Sequence, residues 1–318
     1  MSPEHVYAIP LRTRFRGITV REGVLLRGPA GWGEFCPFRD YTDAECLPWL
    51  AAAVEASEHG WPSPVRERVE VNATVPVVPA ERAYELVAAS SCRTAKVKVA
   101  DPRSSLVDDC DRVAAVRDAL GPHGALRVDA NGAWDTSTAV TAIRELDRAA
   151  GGLEYVEQPC LTVEELALVR RKVDVRVAAD ESIRRAEDPL RVAVAGAADV
   201  AVLKVAPLGG VRRALDVAEA CGLPCVVSSA VESSVGLAAE LALAGALPAL
   251  DFACGLGTMS LLTADVTTQS LSPVDGYLPV PARAPEPDLA ETVPAGDDVR
   301  TWWLDRLARV VALASRQS

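Results

Sequence analysis

Six charged residues recur through the middle of the chain at the ends of short apolar runs. Lys96 and Lys98 stand in Ala-Lys-Val-Lys-Val, Asp129 closes Leu-Arg-Val-Asp, Glu157 closes Glu-Tyr-Val-Glu, Asp180 closes Val-Ala-Ala-Asp, and Lys204 ends Val-Ala-Val-Leu-Lys. A spacing of two puts Lys96 and Lys98 on one face of a strand, with Val97 and Val99 on the other. Taken singly these residues have ordinary roles, since a strand-end carboxylate caps the next helix and a lone lysine lays its stem along apolar surface. Taken together they crowd one small space. Buried charge is costly without partners, and three carboxylates repel one another unless a cation lies between them. Hard oxygen donors with no His or Cys beside them suit Mg²⁺ or Mn²⁺ and suit zinc poorly. The chain has only His5, His59 and His123, none at such a position, so proton transfer is expected from the lysines. The two that flank the carboxylates in sequence, Lys98 and Lys204, can face a metal-bound substrate from opposite sides. A lysine base must be neutral, which neighbouring positive charge favours.

The elements that position these groups follow from the alternation around them. Apolar runs at Val69–Val75, Ala95–Val99, Leu126–Asp129, Tyr155–Glu157, Val175–Ala179, Val200–Val205, Pro224–Val227 and Leu250–Ala253 read as strands. Helical stretches lie between them at Ser105–Leu120, Ser137–Ala149, Val163–Arg171, Pro189–Ala195, Gly210–Ala220 and Gly236–Ala246. Strands alternating with helices pair in parallel through crossovers, and eight in a row fit a closed barrel better than an open sheet. The intervals from Lys98 through Asp129, Glu157 and Asp180 to Lys204 are about 31, 28, 23 and 24 residues, each close to one β/α unit. The expected fold is α/β: a modified, TIM-like (β/α)8 barrel over 67–262. Residues 1–66 form a small α+β capping domain, and 263–318 form a C-terminal segment that packs on cap and barrel and ends in an amphipathic helix from Val299 to about Ser315. Trp302 and Trp303 on that helix read as packing residues.

Composition narrows the partners. The formal net charge of −11 argues against a nucleic-acid binder, which usually shows a basic face. No apolar run is of spanning length, and Met1 to Arg14 lack an apolar signal core, so neither membrane insertion nor export is expected. The eight cysteines have no framework spacing, and Cys221 and Cys225 make a poor zinc site without a second pair. They read as small buried residues in a reducing, cytoplasmic setting.

The constellation Lys96-Val-Lys98, Asp129-Ala-Asn131, Glu157-Gln-Pro-Cys160, Asp180-Glu-Ser182 and Leu203-Lys204, with Gly31-Trp-Gly-Glu34 near the start, resembles the enolase superfamily. Within it the Lys-x-Lys motif is similar to the muconate-lactonising-like subgroup, for which a lysine base and a Mg²⁺-stabilised enediolate are an established pattern. The resemblance implies that Asp129, Glu157 and Asp180 bind Mg²⁺ (or Mn²⁺) and that Lys98 and Lys204 are catalytic. It also implies that Lys96, Asn131, Ser228, Ser229 and Gly255 face a small-molecule carboxylate substrate. Ser228-Ser-Ala-Val-Glu-Ser-Ser-Val-Gly236 and Gly255-Leu-Gly-Thr258 point, by the same resemblance, to a carbon–oxygen lyase. That lyase performs the syn-dehydration of 2-succinyl-6-hydroxy-2,4-cyclohexadiene-1-carboxylate to 2-succinylbenzoate in menaquinone biosynthesis. Lys98 would then take the α-proton and protonate the departing hydroxyl, Lys204 would stabilise the enediolate across the ring, and a cap loop at Phe15–Thr19 would close the site. Related dipeptide epimerases place Asp-x-Asp on the eighth strand. Here Leu250-Asp-Phe-Ala-Cys254 has Ala253 where the second acid would stand, which argues against an aminoacyl substrate. An N-acylamino acid racemase would use the same two lysines, and a barrel that only binds a ligand is the reading from another class.

Overall fold

The computed structural model describes residues 2–184, 190–289 and 294–316. The chain opens with a three-stranded antiparallel sheet of β1 (Ser2–Phe15), β2 (Ile18–Gly28) and β3 (Gly31–Phe35). Arg16 and Gly17, both with positive φ (47° and 80°), form the two-residue turn between β1 and β2, the turn whose twist matches a right-handed hairpin. Helix α1 (Leu47–Val54) follows, with Pro48 in its first turn where no intrahelical N–H is missed, and continues as a π turn over Glu55–His59. It lies directly on β3. A Cβ on Gly33 would stand 2.1 Å from the Ala53 carbonyl oxygen.

Eight parallel strands then form the barrel: β4 (Arg68–Val75), β5 (Thr94–Lys98), β6 (Ala125–Asp129), β7 (Tyr155–Glu157), β8 (Val177–Ala179), β9 (Val200–Leu203), β10 (Cys225–Val227) and β11 (Cys254–Gly257). The ring closes where Ser228 bridges to Gly255 and the Ser229 N–H donates to the Gly255 carbonyl at 3.1 Å. Covering helices start where sequence supplies a cap. Ser105 with Asp108 and Thr162 with Glu165 form capping boxes for α3 (Leu106–Leu120) and α5 (Val163–Arg170), and Asp135 caps α4 (Thr136–Ala150). The short α2 (Ala80–Ala88) follows β4 and has no counterpart among the expected helices. After α5 come the short α6 (Glu181–Arg184), α7 (Leu190–Val194) and α8 (Val205–Leu208), then α9 (Val211–Cys221) and α10 (Ser234–Ala246). Pro189, the expected start of α7, lies outside the described residues.

Parallel register stacks the inward side chains in layers. Thr74, Lys96, Arg127 and Tyr155 are successive partners across β4 to β7, and one step higher Lys98, Asp129 and Glu157 are partners. In the lower layer the buried Arg127 guanidinium donates to Glu154 at 2.5 Å, Asn72 Oδ1 at 3.2 Å and the Ala253 carbonyl at 2.6 Å, beneath the Tyr155 ring. The barrel is therefore packed below and open only above, at the strands' carboxyl ends.

The eighth strand corrects the sequence expectation. Leu250–Ala253 is not a strand. Asp251 is exposed, Phe252 packs edge-on against Tyr155 at 5.9 Å, and the strand is Cys254–Gly257. Its glycines hid it, yet close packing requires them: a Cβ on Gly257 would lie 2.4 Å from the Asn72 carbonyl oxygen. This strand carries no carboxylate. Val205, expected to end a strand, instead begins α8.

The tail returns to the cap. β12 (Tyr277–Pro279) pairs antiparallel with the start of β4, and α11 (Asp297–Ala314) lies on the cap. Trp303 is buried edge-on to Phe35 at 6.1 Å, and its Nε1 donates to Glu22 at 3.1 Å. The buried Arg306 donates to the carbonyls of Phe38 (3.1 Å) and Tyr41, pinning the segment between β3 and α1. Glu34 joins cap to barrel. Its carboxylate accepts from the Tyr7 hydroxyl at 2.5 Å and from the N–H groups of Ser233 (3.1 Å) and Gly236 (2.8 Å) at the start of α10, where helix N–H groups favour an anion. Among the described residues no helix is long and apolar enough to cross a membrane, and all eight cysteines are free.

The Gly33 contact makes a direct test of how cap sheet and helix fit. Gly33→Ala forces β3 off α1, and by the usual cost of overpacking a filled site it should destabilise the protein by about 1–3 kcal/mol. Urea unfolding reads this, and an unchanged midpoint would show that the two elements are less tightly seated.

Candidate active site

At the open end, three lysines meet three carboxylates in pairs. Lys96 Nζ donates to both oxygens of Glu157 at 3.0 and 2.8 Å, Lys98 Nζ to Asp129 Oδ2 at 2.5 Å, and Lys204 Nζ to Asp180 Oδ2 at 2.5 Å. Lys96 also stands 3.7 Å from Asp129. All three carboxylates are buried. β5 and β9 are four places apart in the eight-membered ring, so Lys98 and Lys204 face each other across it.

The electrostatics follow from that crowding. Burial and the neighbouring charges of Asp129 and Asp180 push Glu157 up to about 7, against the pull of Lys96 and Lys204. Burial also acts on Asp129, but Lys98 and Lys96 outweigh it and hold that carboxyl down at about 2. Burial opposes the Lys96 ammonium too, yet Glu157 and Asp129 more than compensate and keep it more basic than a free lysine. Lys96 is thus a committed counter-ion.

Several residues hold this set in place. The Asn131 N–H donates to Asp129 Oδ1 at 2.9 Å, and its side-chain oxygen accepts from Lys98 at 2.8 Å. Gln158, with φ of 39°, ties β7 to β8. Its Oε1 accepts from the N–H groups of Asp180 (3.0 Å) and Ser182 (3.2 Å), while its Nε2 donates to the Ser182 hydroxyl at 2.8 Å. Beside Lys204, Glu240 of α10 accepts from the Val205 N–H at 2.9 and 3.0 Å.

The pairs open onto a cavity at the barrel mouth. All five residues expected to face substrate lie on its wall, but they are not equally available. Ser229 donates to Glu232 at 2.5 Å and accepts from the Val231 N–H (2.8 Å) and the Thr258 hydroxyl (3.0 Å), so its hydroxyl is fully used. Ser228 faces Lys96 at 3.4 Å, and Gly255 leaves it room, since a Cβ there would lie 2.5 Å from Ser228 Oγ. Phe15 and Arg16 of the hairpin tip also line the cavity, with Phe38 and Tyr41. Sequence reasoning missed Thr74. Its buried Oγ1 lines the cavity and has no hydrogen-bond partner among the described residues. Only its inward register beside Lys96 could have marked it.

The donor set fits a hard divalent cation in kind and place: three carboxylates from adjacent strands, close enough that two of them raise the pKa of the third. As they stand, each is turned to its own lysine, and no three His, Cys, Asp or Glu side chains among the described residues converge on one point.

Comparison with known proteins agrees with the fold. Residues 79–285 match the family described as enolase C-terminal domain-like, and 6–57 match enolase N-terminal domain-like. An o-succinylbenzoate synthase of Thermobifida fusca is 67% identical over 86% of this chain and 86% of its own length. One from Mycolicibacterium smegmatis is 54% identical over 97% of this chain and 95% of its own. The chain belongs to the o-succinylbenzoate synthase family of the enolase superfamily. Among solved structures, the L-Ala-D/L-Glu epimerase of Bacillus subtilis superposes with a TM-score of 0.73 at 25% identity, covering 88% of this chain and 97% of that one. A dipeptide epimerase of Enterococcus faecalis, complexed with Mg and a dipeptide, gives 0.73 at 24% identity, covering 89% and 98%. This enolase-superfamily chain shares their fold, and its own eighth strand reads Cys-Gly-Leu-Gly.

The pairing of Lys96 with Glu157 sets an expectation for stability in chelator at pH 8. Lys96→Met leaves a buried carboxylate without its counter-ion and should cost about 3–5 kcal/mol. Adding Glu157→Gln should recover much of that loss in urea melts. Additive losses would show that the two groups do not depend on each other.

Proposed function

We propose that this chain is an o-succinylbenzoate synthase, dehydrating 2-succinyl-6-hydroxy-2,4-cyclohexadiene-1-carboxylate to 2-succinylbenzoate for menaquinone biosynthesis in the cytoplasm. The observation that carries the reading is 54% identity over 97% of the chain to a protein of that name. Two lysines facing each other across one cavity above three carboxylates support it.

In this reading Asp129, Glu157 and Asp180 hold Mg²⁺ (Mn²⁺ would also fit), which supplies positive charge at the ring carboxylate, where a second negative charge develops as the α-proton leaves. Lys98 removes that proton in its neutral form, then returns a proton to the hydroxyl leaving from the adjacent carbon on the same face. The C–H and C–O bonds break, water departs, and the electron pair completes the aromatic ring. Asn131 holds the Lys98 ammonium on one side, and the Phe15 ring, 5.2 Å from Nζ, shields it from solvent on the other. Lys204 keeps its proton and faces the opposite side of the ring, where its charge attracts the electron-rich face. Asp180 orients it through their 2.5 Å bond.

The deciding experiment follows loss of the cyclohexadiene absorbance with Mg²⁺ and again with excess chelator. Rapid, Mg²⁺-dependent loss is expected. No turnover by a protein that still binds Mg²⁺ would overturn the reading, and α-deuterium exchange into an N-acylamino acid would then identify a racemase. Lys98→Ala and Lys204→Ala should each lower kcat by about 10²- to 10⁴-fold, the usual worth of a positioned proton-transfer group, with the fold intact by circular dichroism. Substantial activity in the Lys98 variant would sink the mechanism. Mg²⁺ at 100 times its Kd should stabilise the native protein by about 2.7 kcal/mol, and Asp129→Asn should shrink that gain. An undiminished gain would remove Asp129 from the metal site.

A further inference from the structure

The paired charges at the centre of the cavity neutralise one another, but among the described residues one cation on the same wall has no carboxylate of its own. Arg16 makes no ion pair among the described residues. Its guanidinium donates one hydrogen bond, to the Tyr41 hydroxyl at 2.9 Å, and lies 3.9 Å above the centre of the Phe38 ring. It is exposed yet held on an aromatic platform rather than trailing into water. That platform is itself fixed, because Arg306 of α11 grips the carbonyls of Phe38 and Tyr41.

The backbone at this residue is unusual as well. Arg16 is the first residue of a turn that needs left-handed φ at both positions, where Asn, Asp or Gly costs least and an arginine is disfavoured. The left-handed conformation sends its side chain back over the cavity rather than away from it. Meanwhile the neutral groups on the same wall are hydroxyls: Ser229 is fully used by Glu232, Val231 and Thr258, and Ser228 accepts from Lys96 at 3.4 Å. None of these offers a cation to a second carboxylate.

We infer that Arg16 grips the terminal carboxylate of the substrate's succinyl chain, positioned by Phe38 and Tyr41. This rests on the proposed function, whose substrate carries two carboxylates: the ring carboxylate sits at the lysine–carboxylate centre and the chain carboxylate at the hairpin. A planar guanidinium suits a carboxylate, because its fork of N–H groups donates to both oxygens at once. Arg16 is thus a specificity-determining residue that reads the end of the chain and takes no part in proton transfer.

The test compares acid with ester in the Mg²⁺-loaded full-length protein. Binding of 2-succinylbenzoate and of its chain methyl ester is measured by calorimetry for the wild type, Arg16→Gln and Arg16→Lys. The wild type should bind the acid about 10- to 100-fold more tightly than the ester, the range for a hydrogen bond to a charged group. Arg16→Gln should erase that gap, and Arg16→Lys should restore part of it. In turnover, Arg16→Gln should raise KM by a similar factor while kcat changes less than about threefold, since the reacting centre is untouched. A gap that survives in Arg16→Gln overturns the inference, and so does an equal weakening of acid and ester, which marks a structural role for the hairpin. Both outcomes leave the dehydratase standing. A wild type that neither binds 2-succinylbenzoate nor turns over its precursor overturns the function and the inference with it.

Discussion

Charge balance in the barrel mouth is the constraint to which the rest of the structure answers. Three carboxylates on consecutive strands cannot share a dry interior alone, and three ammonium groups in the same layers neutralise them one for one. That balance requires β5 through β9 to be held in strict register, because a slip of one residue would turn a lysine outward and leave a carboxylate bare. Gln158 serves this register by bonding across from β7 to the chain just past β8, and Glu240 does so by fixing the residue after Lys204. The arrangement is self-neutral at rest, yet each pair is a site where one cation can exchange for another.

The cap and the tail are the second level of the same design. Glu34 seats the cap sheet on the first turn of a barrel helix, and α11 seats the aromatic platform on the cap through Arg306 and Trp303. The hairpin tip therefore reaches the cavity from a sheet anchored at both ends of the chain. The lysine–carboxylate centre belongs to the barrel, and the outer wall belongs to elements remote in sequence.

The centre was legible in the sequence because strand ends repeat at barrel intervals and because lysine and acid side chains are rare in apolar runs. Asp129, Glu157, Asp180, Lys98 and Lys204 all face one mouth, as their spacing implied. The periphery was not legible. Thr74 is a threonine at the end of a β-branched run, with nothing in its type to separate it from core. Cys254–Gly257 lacks β-branched residues because backbones approach too closely there, so the apolar Leu250–Ala253 mimicked it. The division of labour between Ser228 and Ser229 depends on Glu232 and Thr258, which only the folded chain brings together. Arg16 sat inside Phe15–Thr19, expected as a loop, but β1 and β2 run into that segment and leave only the turn at Arg16 and Gly17, whose left-handed backbone sets the side chain's direction.

The buried Arg127 layer has a consequence for traffic. With that guanidinium bound to Glu154, Asn72 and the Ala253 carbonyl, the barrel is sealed from below, and the cavity is a cul-de-sac. Whatever enters the mouth must leave by the same mouth. A bound product therefore stands in the doorway of the next substrate, and release has to precede each new binding event.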